Sequence, residues 1–265
     1  MRWILITGAM GGMGRATAEA LRQGGYGVIA LDRECGEALD TDNLKHISAD
    51  ITDGNSLSLA YERVCAITDS LYAVIHFAGV YMLDSLVEIE DERIRKIFDV
   101  NLFGVYAVNK TFLPLLTEGS RIVITTSELA TLPPLPFTGI YAISKAALDR
   151  YAYSLRMELQ LLGIQVSVLR AGAVDTGMLG ASVAELDNFL EKTRLYRTNA
   201  ARFKKIVNAV EAKSIPTRRI ASRVAKIVNK RSARFAYSIN RNPLLRLYGI
   251  TPSALRFFAI RKILK

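Results

Sequence analysis

The sequence predicts an α/β fold: a doubly wound parallel sheet, Rossmann-like, covered by helices on both faces as a three-layer α/β/α unit. Three observations lead there. Short apolar runs recur at 3–6, 27–32, 44–49, 71–77, 120–126, 164–170 and 234–239, too short for helices and continuous enough for strands buried on both faces. Stretches of helical composition separate them, and such alternation implies parallel strands with crossover helices. A glycine-rich turn follows the first run directly. The chain has 265 residues, half of them hydrophobic, enough for one full core.

The elements can be justified in order. The run 3–6 leads into Thr7-Gly8-Ala9-Met10-Gly11-Gly12-Met13-Gly14, and 15–22 then has helical composition. Strand, glycine turn and helix together form a pyrophosphate site, because glycines let the backbone approach the phosphates and the helix start offers free N–H groups. Gly8, Gly12 and Gly14 carry the spacing; Met10 and Met13 supply main chain within it. The second strand ends at Asp32, whose carboxylate suits the adenosine ribose hydroxyls and would repel a 2′-phosphate. That favours NAD over NADP, although Arg33 beside it could pair with such a phosphate. Further on, Tyr141 and Lys145 stand four apart in Tyr-Ala-Ile-Ser-Lys and share one helical face. A phenol is a poor base near pH 7, and a neighbouring ammonium is expected to lower its pKa.

These motifs, over roughly residues 1 to 180, resemble those of the short-chain dehydrogenase/reductase family, in particular members acting on hydroxysteroids and retinols. The resemblance implies a nicotinamide cofactor and further site positions. Asp50 and Ile51, in Ala-Asp-Ile-Thr, look like the adenine-contacting pair after the third strand. His76-Phe77-Ala78-Gly79 looks like the family's Asn-Asn-Ala-Gly turn, with only Ala78 and Gly79 kept. Asn101, in Asn-Leu-Phe-Gly, resembles the asparagine that holds a relay water. Ser127 resembles the catalytic serine, yet it precedes Tyr141 by 14 residues where the family has 13, and Glu128 takes the usual place. A loop with Pro133, Pro134 and Pro136 could absorb the extra residue. Thr126 is the weaker hydroxyl candidate. Val174 and Thr176 match the segment that holds the nicotinamide carboxamide, although Ala171-Gly172 replaces the usual Pro-Gly. The implied roles are Tyr141 as proton donor and acceptor, Ser127 and Asn101 as its partners, and Lys145 as modulator and ribose ligand. His76 reads as a packing residue rather than a base.

The first 180 residues carry 21 acidic and 15 basic side chains, whereas the remaining 85 carry 4 and 20, and 14 Lys and Arg follow Glu211, the last acid. Residues 1–240 are expected to form the catalytic domain, with a substrate lid at about 178–215 to which Met178, Leu179, Leu186, Phe189, Leu190 and Tyr196 offer apolar surface. Residues 241–265 read as a basic, imperfectly amphipathic tail, with Leu255, Ala259 and Ile263 on one face. An anionic membrane surface and a solvated or oligomer face explain the tail equally; nucleic acid is less suited, since no binding motif accompanies the charge. Two cysteines without metal-site spacing fit a reducing compartment and no metal. With the first strand starting almost at Met1, no secretory signal is expected, so the location reads as cytoplasmic, extending to a peripheral place at the inner membrane face.

The implied activity is hydride transfer between NAD and a lipophilic secondary alcohol or ketone, in a homo-oligomer joined through the helices of Asn101 and Tyr141. The alternatives are a polar carbonyl such as a 3-oxoacyl thioester or sugar, and a non-catalytic NAD sensor or membrane-recruited scaffold.

Overall fold

The computed structural model describes residues 1–36, 39–209 and 213–265. The first half runs β1 (Trp3–Thr7), α1 (Gly12–Gln23), β2 (Gly27–Asp32), β3 (Leu44–Ser48), α2 (Gly54–Cys65), β4 (Leu71–His76), α3 (Asp91–Phe98), α4 (Val105–Phe112) and β5 (Leu116–Ser127). Then follow α5 (Gly139–Leu159), β6 (Gln165–Ala171), β7 (Val174–Asp175), α6 (Gly177–Lys192), α7 (Arg197–Ala209), β8 (Ile215–Pro216), α8 (Thr217–Val228), β9 (Ala236–Ile239), α9 (Pro243–Ile250) and α10 (Ser253–Leu264). Seven parallel strands form the main sheet in the order β3-β2-β1-β4-β5-β6-β9, as the alternation of apolar runs predicts, and β7 and β8 pair as a separate short ribbon.

The strands read as unbroken apolar runs because both sheet faces are covered. Successive residues of β1 show it: Leu5 packs with α2, α4 and α5, while Ile4 and Ile6 face α1 and α8. On the first face Phe112, Leu148 and Ala152 close the core; on the other, Leu21, Ile220 and Val224 do so. The strand order reverses between β1 and β4. A crevice opens there beyond the strands' carboxyl ends, because the chain leaves these two strands in opposite directions across the sheet. The turns after β1 and β4 therefore meet.

A separate apolar cluster sits above that edge. Leu186 and Phe189 of α6, Ala200 and Phe203 of α7 and Leu83 are buried there together with Leu264 of α10. Ion pairs hold α6 down: buried Asp84 receives Lys192 Nζ at 2.7 Å, and Arg93 bridges Asp84 and Glu185. This changes the expected lid. Leu186, Phe189, Leu190 and Tyr196 pack in or against this cluster, because Phe137 reaches up between them, with ring centroids 4.7 Å from Phe189 and 5.4 Å from Tyr196. Phe137 adopts φ 65°, a conformation a bulky side chain seldom takes and one that its packing must compensate. The side chain of Leu179 lies outside the described residues.

Phe112 is completely buried between α4 and the sheet. Phe112→Ala is expected to cost about 3–5 kcal/mol, through lost transfer energy and the cavity left behind, read as a lower midpoint in urea unfolding.

Candidate active site

The glycine turn is built for close approach. Gly8 has φ 65°, and a Cβ there would lie 2.4 Å from the main-chain nitrogen of Ala78, so only glycine lets the turns after β1 and β4 touch. Helix α1 begins at Gly12 with Gly11 as its cap and no side chain bonded to its first N–H groups. Those orphan donors and the positive end of the helix dipole point to an anion. Asp32, at the end of β2, accepts N–H bonds from Met10 and Arg33, both at 2.8 Å, which ties the glycine turn to the acid. Asp50 accepts the N–H and hydroxyl of Thr52 at 2.8 and 2.7 Å. The Thr52 hydroxyl is the main reason its pKa lies below the usual carboxylate range.

A cavity of about 1050 Å³ runs along this edge. Gly8, Met10, Gly12, Met13, Gly14, Asp32, Arg33, Asp50, Ile51, Ala78, Gly79 and Thr176 all line it. Its wall combines the main-chain donors of the glycine turn with the Asp32 carboxylate beside them. That donor set fits a dinucleotide. Four charged side chains lining it were not legible in the sequence: Glu92, Arg95, Lys96 and Asp99. They reach it because α3 leads directly into the turn that carries Asn101.

A second cleft of about 200 Å³ adjoins it, sharing Phe77, Gly79, Tyr81 and Met178 among its walls. Ser127, Tyr141, Lys145 and Val174 line this one. Helix α5 turns Tyr141, Lys145, Leu148 and Ala152 inward, the stripe that four- and three-residue steps produce. The Ser127 hydroxyl stands close enough to the Tyr141 phenol to favour its ionised form, and both line the cleft. Thr126, one residue earlier on β5, points to the other side and bonds Asp149 at 3.2 Å. The strand's alternation thus turns the Ser127 side chain, and not that of Thr126, towards the Tyr141 phenol.

Asn101 lies behind the cleft and lines neither cavity. It sits in a single π-helical turn, Asp99–Gly104, between α3 and α4, a widening often met at functional sites. Its Oδ1 accepts the Val80 N–H at 2.8 Å, and its Nδ2 donates to the Val80 carbonyl at 3.0 Å and to Ser144 Oγ at 3.1 Å. Ser144 in turn donates to the Tyr141 carbonyl at 2.8 Å. A Cβ on Gly79 would stand 3.1 Å from Asn101 Oδ1 and 3.3 Å from Lys145 Nζ, so the glycine leaves room for both.

The electrostatics depart from the expected lowering of the phenol. Burial pushes Tyr141 up to about 12, and the Ser127 hydroxyl opposes it. Burial holds Lys145 down to about 8. Lys145 Nζ stands 5.9 Å from the Tyr141 ring centre. In the protein alone, then, desolvation outweighs the ammonium's pull. His76 is buried and neutral, kept down to about 4 by desolvation, with Nε2 2.9 Å from Asn109 Oδ1; its place is packing, as read from the sequence.

Tyr81 and Leu245 also wall the catalytic cleft. Tyr81 lies against Tyr141, ring centroids 4.8 Å apart, and only its nearness to Gly79 in the sequence hinted at it. Leu245 arrives from α9, which no local pattern foretells. Glu128, in the place usual for the serine, is buried and accepts the Asn242 N–H at 2.8 Å. It fastens the start of the tail to the loop beside Ser127.

The buried ammonium has a thermodynamic signature. From about pH 8 to 10.5 the unfolded chain keeps the Lys145 proton that the folded protein has shed. Stability from this group therefore rises with pH across that window. Lys145→Met is expected to stabilise the protein alone at pH 7 by on the order of 2 kcal/mol and to flatten that rise. Urea unfolding at pH 7 and pH 10 checks both; a less stable variant at pH 7 would refute the sign.

Comparisons with known proteins agree with this geometry. A family model described as short chain dehydrogenase matches residues 2–187. The chain is 33% identical over 180 residues to the NADPH-dependent 1-acyldihydroxyacetone phosphate reductase of Schizosaccharomyces pombe, a match spanning 66% of this chain and 60% of that protein. It is 26% identical over 234 residues to 3-ketodihydrosphingosine reductase of Bacteroides thetaiotaomicron, covering 88% and 85%. A short chain dehydrogenase from Burkholderia cenocepacia, solved in complex with NADP, superimposes with a TM-score of 0.74 over the whole of both chains at 22% identity. The chain belongs to the short-chain dehydrogenase/reductase family of NAD(P)-dependent oxidoreductases acting on CH–OH and carbonyl groups.

Proposed function

We propose that this protein moves a hydride between NAD and a lipophilic secondary alcohol or its ketone. The observation that carries the reading is the Ser127–Tyr141 hydroxyl pair beside Lys145, inside a cleft whose exposed lining is mainly apolar.

Gly8 to Gly14 would hold the pyrophosphate, and Asp32 the adenosine ribose. Asp50 and Ile51 would flank the adenine, Val174 and Thr176 would hold the carboxamide, and Lys145 the nicotinamide ribose. The bound dinucleotide supplies the hydride donor or acceptor. Ser127 donates to the substrate oxygen and steadies its developing charge. Tyr141 takes the alcohol proton in oxidation and returns it in reduction. Lys145, a cation within reach of the phenol, lowers the cost of the tyrosinate. Asn101 keeps α5 and the Gly79 turn in register through Ser144 and Val80, and by family resemblance extends the proton relay.

Apolar walls from Met178, Leu129, Tyr81 and Leu245 support a lipophilic substrate. The two relatives named above, a 1-acyldihydroxyacetone phosphate reductase and a 3-ketodihydrosphingosine reductase, are in keeping with it. A polar carbonyl compound is the second reading, favoured by Glu128 in the same wall. Asp32 supports NAD; Arg33, beside it at the same rim, is the feature that would suit NADP. The exposed Phe103, Tyr106, Tyr153 and Met157 on α4, α5 and the turn before α4 support a homo-oligomer joined there. Retention of both Tyr141 and Lys145 weighs against a non-catalytic sensor or scaffold.

Reduced-nicotinamide absorbance, followed with NAD and NADP over hydroxysteroids, retinols, long-chain secondary alcohols, sugars and 3-oxoacyl thioesters, tests the proposal. Turnover of a lipophilic member with NAD is expected, and Tyr141→Phe should lower it by about 10²–10⁴-fold while leaving nucleotide binding nearly unchanged. Unaltered turnover in the variant would refute the assignment. Turnover confined to sugars or thioesters would favour the polar reading.

A further inference from the structure

The tail leaves a surface that the reaction does not explain. Helix α10 buries Ile260 and Leu264 against the α6–α7 cluster. Asn199 Nδ2 and Arg202 Nη1 of α7 donate to the Leu264 carbonyl at 2.7 and 3.3 Å. The inward stripe is therefore 260 and 264, with half-buried Arg256 above them. Leu255, Ala259 and Ile263 face out with Phe258, 65% exposed, beside them, while Phe257, 73% exposed, stands on the opposite flank of the inward stripe. Helix α9, just before it in the chain, adds exposed Leu244, Leu247 and Ile250, the last 80% exposed.

This is a contiguous stretch of sequence with seven large apolar side chains turned to solvent. Scattered exposed apolar residues need no explanation, but a cluster of this kind does. Arg246, Arg261, Lys262 and Lys265 are interleaved with them and exposed, and no acidic residue occurs after Glu211. The charge decides between occupants. A second copy docking through the same face by a two-fold axis would set these cations against their own counterparts. An anionic surface with an apolar interior meets both halves of the pattern: headgroups take the Lys and Arg, and acyl chains take Phe257, Phe258 and Leu255. No helix among the described residues is long and apolar enough to cross a membrane, so contact would be at the interface. The face also adjoins the cleft, since Leu245, in its wall, lies between exposed Leu244 and Arg246 of α9.

We infer that the outer face of α9 and α10 docks on an anionic lipid bilayer, beside the opening through which substrate reaches Tyr141. The inference deepens the lipophilic-substrate reading and rests on it for its purpose, but its test reads binding and not turnover. The full chain is sedimented with phosphatidylglycerol vesicles and with phosphatidylcholine vesicles. Binding to the anionic vesicles should exceed that to the neutral ones by about tenfold and should fall in high salt. The double variant Phe257→Ser, Phe258→Ser, altered only at exposed positions, should keep its fold by circular dichroism and lose most of the bound fraction. Arg261→Glu with Lys262→Glu should do the same by reversing charge. Equal binding to both vesicles, absence of binding, or firmer retention on a duplex oligonucleotide would overturn the inference. So would sedimentation velocity showing a dimer that the phenylalanine variant dissociates in vesicle-free solution.

Discussion

The burial of Lys145 beside Tyr141 is the constraint on which the arrangement of the site depends. An ammonium removed from water is costly unless its surroundings compensate, and here they do so only partly, which is why its pKa falls to about 8. The same enclosure pushes the phenol up to about 12. Holding both groups in one dry place requires rigid supports. Helix α5 supplies one, packed along the sheet through Leu148 and Ala152. The π turn at Asn101 supplies another, bonded through Ser144 to the main chain of Tyr141 itself. Gly79 completes the enclosure by having no side chain to place over the ammonium. Stability is given up at this point so that two groups of opposed protonation habit can be held ready, a common cost of preorganised sites.

Above the site a second level of organisation depends on aromatic packing. Phe137 stands in an unfavoured backbone conformation and links the loop before α5 to α6 and α7. The ion pairs at Asp84 fix the far side of α6. Glu128 fastens the beginning of the tail, and the end of α10 is held by α7. Helices α6, α7 and α10 are thus packed as one cluster.

Much of this was legible in the sequence where the chemistry is local. The glycine turn, Asp32 and the Tyr141–Lys145 step each occupy a few consecutive residues whose geometry the backbone fixes. The seven strands were legible because burial on both faces demands unbroken apolar runs. Ser127 needed the structure: the spacing to Tyr141 is one residue long, and only the side-to-side alternation of β5 separates it from Thr126. Leu186 and Phe189, read as apolar surface of a lid segment, did not reveal their packing partner, because an apolar helix face does not name one, and Phe137 lies some fifty residues earlier in the chain. The part of the tail that packs was not legible for the same reason. Arg256 shares the inner side of α10 with Ile260 and Leu264, its guanidinium reaching back towards the Tyr248 ring, and a charge on a buried stripe is what hides that stripe in the sequence. Tyr81 and Leu245 reach the site through tertiary contact alone. The pKa of Tyr141 was misjudged because proximity of Lys145 is visible in sequence and depth of burial is not.

That last point admits a direct test. Tyrosine labelled with ¹³C at the ring ζ-carbon, assigned by comparison with Tyr141→Phe, reports the ionisation of Tyr141 in the protein alone. The Tyr141 signal should remain that of a neutral phenol beyond the ordinary pKa of about 10, and Ser127→Ala should raise it further by removing the hydroxyl that favours the tyrosinate. A midpoint below about 10 in the protein alone would contradict the account, since it would mean that the charge of Lys145, and not burial, governs the site.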